Sequence, residues 1–192
     1  MASHPIPNLT EEEYLARERK SEFRHEFVDG EMFAMFGASQ RHIILQANLV
    51  GELSHFLRSR GCRIVGSDAR IRISRRAYLY PDLSIICGPM QPLDLEGDNI
   101  ENPAVVFEIL SRSTERYDRL VKSQLYRTID SLMDYLLVSQ DQIRIEQSTR
   151  QPDGSWSERV CQDAGAEMKI DSVGVSIPLS RIYDGVSSSA HT

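Results

Sequence analysis

The chain has 192 residues, 41% of them hydrophobic and 26% charged, which suits one domain with a real core and excludes a chain that is disordered throughout. Its net charge of −6 excludes an avid, nonspecific polyanion binder, so any nucleic-acid contact must be local. No stretch approaches the ~18 apolar residues of a membrane span, and MASHPIPNLTEEEY lacks the basic start and apolar run of an export signal.

Thr10 followed by Glu11, Glu12 and Glu13 forms a capping box and predicts a short helix over about residues 11–20. RHEFVDGEMFAM then reads as a hairpin turning at Asp29-Gly30, because both positions tolerate positive φ. Ser39 opens the most strongly periodic helix, with Ile43, Ile44, Ala47, Val50, Leu53 and Leu57 at helical spacing and Gly61 at its end. Strands follow at 62–66, 70–74 and 82–87, the last entered through Pro81. Residues 88–103, with three prolines and two glycines, predict a surface loop.

AVVFEIL, 104–110, is an apolar run suited to a central strand covered on both faces. Ser111 and Ser113 can cap a helix through about residue 128, with Tyr117, Val121 and Leu125 as its apolar stripe. DYLLVS, 134–139, predicts another strand, and the segments flanking Gln151-Pro-Asp-Gly-Ser155 a C-terminal hairpin within 141–185. The tail 186–192 is expected to be frayed. Without repeats or a low-complexity linker, one domain over 1–192 is expected, with a core at about 39–139, an N-terminal helix and hairpin at 10–37, and a mixed sheet between helices.

Three cysteines, Cys62, Cys87 and Cys161, are widely spaced and form no CxxC, so neither a disulfide framework nor a zinc site is expected and a reducing cytoplasm is the natural compartment. Chemistry concentrates on two carboxylates. Glu108 lies inside an apolar strand, where an unpaired charge costs several kcal/mol and so requires a partner, a proton or a metal. Asp82 opens a strand that could pair with it, and two adjacent carboxylates with oxygen-only character suit Mg²⁺ or Mn²⁺. Against this stands a structural pairing of Glu108 with an arginine or hydroxyl. A third reading is a carboxylate-pair glycosidase, which needs about 5–10 Å between its groups.

Lys122, 14 residues after Glu108, could neutralise that carboxylate or meet a phosphate. Asp118 and Lys122 at i, i+4 equally fit an exposed salt bridge worth a few tenths of a kcal/mol. Arg58, Arg60, Arg63, Arg70, Arg72, Arg75 and Arg76 could form a phosphate-binding edge or a solvated strand edge. His42 reads as a boundary residue beside the buried helix face. No P-loop, GxGxxG or GxSxG setting occurs.

Taken in order, YLARERKSEFRHEFVDGEMFAMFGASQRH, YPDLSII, PAVVFEILSRSTERYDRLVKSQLY and DYLLV resemble the Uma2 family of the PD-(D/E)xK nuclease superfamily. The resemblance implies an α/β fold with a restriction-endonuclease-like αβββαβ core and Mg²⁺-dependent (or Mn²⁺-dependent) cleavage of DNA, its metal held by Asp82, Glu108 and the Ile109 carbonyl. Leu110 stands where the superfamily's lysine is expected, and Lys122, in KxxxY spacing with Tyr126, stands in for it. Glu26 and His42 match the family's N-terminal pattern as accessory residues. Arg112 and Leu136 depart from frequent proline and tryptophan positions. A binding or regulatory module without turnover is the alternative, and sheet edges at the hairpins suit a homodimer.

Overall fold

Thr10 accepts a hydrogen bond from the Glu13 amide while Glu13 accepts one from the Thr10 amide, and this reciprocal cap starts α1 (Glu11–Glu18). The computed structural model describes residues 6, 8–35, 37–90 and 99–186. After α1 come β1 (His25–Val28) and β2 (Glu31–Ala34), joined by Asp29 at φ 51° and Gly30 at φ 89°, as the turn residues require. Ser39 caps α2 (Gln40–Leu57), and a 3-10 turn ends it at Gly61, φ 68°. The buried stripe of α2 is Leu45, Leu49, Leu53 and Leu57. Ile43 and Val50 point outward, at 55% and 37% exposure, so the expected face is rotated: four leucines at i+4 outcompete the β-branched residues between them.

Next come β3 (Cys62–Gly66), β4 (Arg70–Ser74), β5 (Ala77–Leu79), β6 (Leu83–Cys87), β7 (Asn99–Ile100) and β8 (Val105–Leu110). A broken helix then runs as α3 (Glu115–Tyr117), a π turn (Asp118–Lys122) and α4 (Ser123–Tyr126). The rest comprises β9 (Asp134–Ser139), β10 (Ile145–Arg150), β11 (Trp156–Cys161), β12 (Glu167–Ile170), β13 (Val175–Pro178) and α5 (Leu179–Ile182). Two larger sheets result: a six-stranded one in the order β11-β10-β9-β8-β6-β3, and a five-stranded one in the order β2-β1-β5-β4-β7. Within the first, β8 and β9 run parallel and the other pairs antiparallel. The path α2, β3, β6, β8, broken helix, β9 is the expected αβββαβ core in a mixed α+β fold, with β4 and β5 diverted into the second sheet.

Two apolar clusters sandwich the six-stranded sheet. On one face the α2 leucines pack against Leu83, Ile85, Val105, Phe107 and Ile109, closed by Met168, Ile170, Ile177 and Leu179 from the C-terminal segment. On the other face Val106 and Leu110 meet Tyr126, Leu132 and Tyr135, together with Ile71 and Leu79 from the second sheet. Alternation along β8 therefore sends Phe107 to one core and Glu108 toward the other.

Several expectations are corrected. Residues 91–98 of the expected loop lie outside the described residues, but its end forms β7, which adds parallel to β4. The expected hairpin around residues 151–155 is present as β10–β11; beyond it, β12–β13 and α5 form a second unit that covers α2, which had no turn signal as strong as Pro-Asp-Gly. The tail from 187 lies outside the described residues. Cys62 and Cys87 sit opposite each other on β3 and β6 and are disulfide-bonded, because strand register brings together residues 25 apart in sequence. The arginine-rich stretch is no single edge. Arg70 is buried and donates to Asn99, and Arg72 donates to Tyr78, Glu11 and Glu101, whereas Arg60 donates to the Val173 carbonyl.

Candidate active site

β8 delivers Glu108 to a face that the broken helix covers. The buried side of that helix is Asp118, Lys122 and Tyr126, and the expected stripe is displaced: Val121 is 38% exposed. The π turn inserts a residue into the helical ladder, and a polar stripe then faces the strand carboxylate in place of an apolar one. Lys122 Nζ lies 2.9 Å from Glu26 Oε1, 3.0 Å from Glu108 Oε1 and 3.5 Å from Asp118 Oδ1, and none of the four side chains is more than 7% exposed. Asp118 and Lys122 thus form no surface salt bridge; they belong to a buried cluster. Glu26 arrives from β1 in the other sheet and also accepts from the Tyr80 amide at 3.3 Å. The Tyr126 hydroxyl donates to Glu108 Oε1 at 3.2 Å.

Asp82 adjoins this cluster. Leu83 pairs with Phe107 across β6 and β8, which sets Asp82 across from Glu108 one step further out. Its carboxylate accepts from the Ile109 amide at 2.6 Å, and His42 Nε2, from the first turn of α2, lies 3.1 Å from its other oxygen. Gln46, one turn along α2, donates to the Asp82 carbonyl at 2.9 Å. His42 is therefore a partner of a carboxylate, beyond the boundary role its helix position suggests. Asp82 is the more open of the two strand carboxylates, its side chain 14% exposed against 4% for Glu108.

Three carboxylates face one ammonium, with Asp82 beside them, and the electrostatics follow. Burial pushes Glu108 well above the usual carboxylate range; Lys122 opposes this, while Asp118, Asp82 and Glu26 reinforce it. Burial likewise raises Asp118, with Lys122 opposing. For Lys122 burial works toward neutrality, but Glu108 and Glu26 overcome it and hold the ammonium well above its ordinary value. The same contact thus raises both partners: burial acts on the carboxyl of Glu108, and the neighbouring carboxylates act on the ammonium of Lys122. Asp118 Oδ1, although within ion-pair reach of Lys122, makes no hydrogen bond and is buried.

Among the described residues no three His, Cys, Asp or Glu side chains converge on a ready-made ion site. Lys122 lies between the carboxylates where their oxygens would otherwise face one another. The donor chemistry nevertheless fits a hard divalent cation: the groups are oxygen donors, negative charge is in surplus, and one buried carboxylate oxygen lacks a hydrogen bond. Asp118 is the member that sequence reasoning missed. The i, i+4, i+8 relation of Asp118, Lys122 and Tyr126 was its signal, a polar stripe on a helix that must pack on a central strand. Leu136 is wholly buried in the core, whereas the Arg112 side chain is 84% exposed beside Asp141.

The model of the Uma2 family, described as "Putative restriction endonuclease", matches residues 11–180. "Uncharacterized protein slr1290" of Synechocystis sp. strain PCC 6803 is 36% identical over 185 residues, covering 96% of this chain and 96% of that relative. "Uncharacterized protein sll1609" of the same strain is 35% identical over 149 residues, 77% of this chain and 84% of that one. A solved structure described as "a putative nuclease belonging to DUF820 from Anabaena variabilis ATCC 29413" aligns with a TM-score of 0.76 at 16% identity, over 93% of this chain and 99% of that one; at this identity the likeness shows the fold alone.

Proposed function

The chain belongs to the Uma2 family, described as "Putative restriction endonuclease", and from that premise we propose that it hydrolyses DNA phosphodiester bonds with a divalent cation, Mg²⁺ or Mn²⁺. The observation that carries this reading is the ammonium of Lys122 set against Glu108: the cation missing at Leu110, beside the strand carboxylate, is returned from the following helix. Asp82 and Glu108, with the Ile109 carbonyl, would hold the ion. Bound there, it would supply Lewis acidity toward phosphate oxygens and lower the pKa of water. Lys122 offsets negative charge as it builds on the phosphate. Tyr126 and Lys122 orient Glu108; the Ile109 amide and His42 orient Asp82; and Glu26 keeps Lys122 in place from the second sheet. Water adds to phosphorus, the ester P–O bond breaks, and the departing oxygen gains a proton.

No helix among the described residues is long and apolar enough to cross a membrane. The reading places the chain in the cytoplasm, a reducing compartment against which the Cys62–Cys87 disulfide stands. Cutting both strands of a duplex would suit two copies acting together. Glu108→Ala and Asp82→Ala are each expected to abolish Mg²⁺-dependent cleavage of plasmid DNA while near-ultraviolet circular dichroism stays native; full cleavage by either variant would refute the assignment. A binding or regulatory module is the second reading, favoured by the way Lys122 fills the space between the carboxylates. Titration calorimetry decides: absence of heat at millimolar Mg²⁺ and Mn²⁺ supports the module.

A further inference from the structure

Arg41, in the first turn of α2, and Arg112, just past β8, both reach the carboxylate of Asp141, just past β9. Arg41 Nη1 lies 3.2 Å from Asp141 Oδ1 and Arg112 Nε 3.6 Å from Oδ2. With Ser39, Gln40 and Gln140 these residues line an open cleft of about 500 Å³. The described lining of the cleft carries two guanidinium groups and one carboxylate, on a chain whose net charge is −6. A polyanion approaching this protein is repelled by the whole and attracted here.

The cleft is joined to the candidate active site through the chain itself. His42, next to Arg41, contacts Asp82 at 3.1 Å. Gln140 donates to the carbonyl of Leu110 at 2.7 Å, two residues beyond Glu108 on β8. Arg41, Arg112 and Asp141 side chains are 31%, 84% and 43% exposed, open enough for an incoming anion to replace the carboxylate between them.

Resting on the nuclease reading above, we propose that this cleft is a subsite for one backbone phosphate of the nucleic acid, neighbouring the phosphate that is cleaved. Asp141 draws one guanidinium group to each of its two oxygens, and a phosphodiester offers the same kind of anionic oxygens. The contact carries no sequence information; it fixes the register of the backbone relative to Asp82 and Glu108.

The test is the binding of a fluorescein-labelled duplex of about 20 base pairs to the full chain, read by anisotropy across a KCl series in Ca²⁺ buffer with duplex integrity checked on a gel. Arg41→Ala/Arg112→Ala is expected to weaken binding roughly tenfold for any duplex sequence and to reduce the slope of log affinity against log salt by about 1, the signature of one lost phosphate contact. Arg75→Ala/Arg76→Ala, which removes two exposed guanidinium groups from the β4–β5 turn, is expected to leave the slope unchanged. The subsite is overturned if the first double variant matches wild type, if both double variants lose affinity equally, or if wild type shows no salt-dependent binding. Cleavage by wild type in Mg²⁺ is read separately, so binding with the expected slope change but without cleavage removes the nuclease reading alone, and cleavage with unchanged slopes removes the subsite alone.

Discussion

Without its ammonium, Lys122 would leave Glu26, Glu108 and Asp118 facing one another in a site at most 7% exposed. Breaking a buried ion cluster from its minority side costs about 3–5 kcal/mol, because the remaining charges cannot reach water. Lys122→Met, which keeps the volume, is therefore expected to destabilise the chain by that amount in urea denaturation, and adding Glu108→Gln to recover part of the loss. A Lys122→Met midpoint equal to wild type would show that the carboxylates are neutralised in another way. Removing a carboxylate works in the opposite direction, since Lys122 still has Glu26 and Asp118 when Glu108 is gone. This asymmetry is why Glu108→Ala serves as a test of chemistry and Lys122→Met as a test of stability. Glu108 was legible in the sequence as a charge in an apolar strand. Lys122 was legible as a candidate partner, but the burial of the pair was not, since i, i+4 spacing of Asp118 and Lys122 describes a buried pair and a solvated one equally well.

The broken helix shows where periodicity misleads. A regular helix read from Tyr117, Val121 and Leu125 predicts an apolar underside, but the π turn, together with a polar strand residue beneath, turns Asp118 and Lys122 inward. Spacing rules assume an unbroken ladder of about 3.6 residues per turn, and one inserted residue shifts every later side chain by roughly 100°. The turn is anchored from outside by Arg119, which donates to both oxygens of Glu146 on β10 and to Glu115. Hydrogen bonds from Arg119 hold Glu146 below the usual carboxylate range, with Arg144 contributing despite partial burial. Because the folded value lies below the unfolded one, the stabilisation is present above the unfolded pKa of about 4.3 and is lost as pH falls through the folded value. Glu146→Gln is expected to cost roughly 0.5–1 kcal/mol at neutral pH, a figure kept small by solvent screening. The gap between thermal melts of the two chains should narrow as pH falls below about 4.3 and close once pH is below the folded value; a gap that does not narrow would mean that Glu146 acts through packing.

At the scale of the molecule the site belongs to neither sheet. Asp82 and Glu108 come from the strand pair β6–β8, Glu26 from β1 in the five-stranded sheet, and Lys122, on the helix between β8 and β9, joins them. The order of elements was legible because caps, turns and apolar runs are local signals. The division into two sheets was not, because β3 and β4 carry similar short patterns and differ only in distant partners: Ile64 opposite Ile85, Ile71 opposite Leu79. The Cys62–Cys87 pairing was hidden for the same reason. A charge cluster spanning both sheets, and a core that takes Ile71 and Leu79 from one sheet with Val106 and Leu110 from the other, should make the halves unfold together. Trp156, the single tryptophan, stands on β11 at the far edge of the six-stranded sheet, with Arg127 and Arg150 over its ring at 5.2 and 5.0 Å. Its fluorescence reports that edge, whereas far-ultraviolet circular dichroism reports both sheets. The two probes are expected to give one coincident urea midpoint. An earlier dichroism transition, with Trp156 still native, would show that the five-stranded sheet opens on its own and that Glu26 can leave Lys122 without unfolding the core.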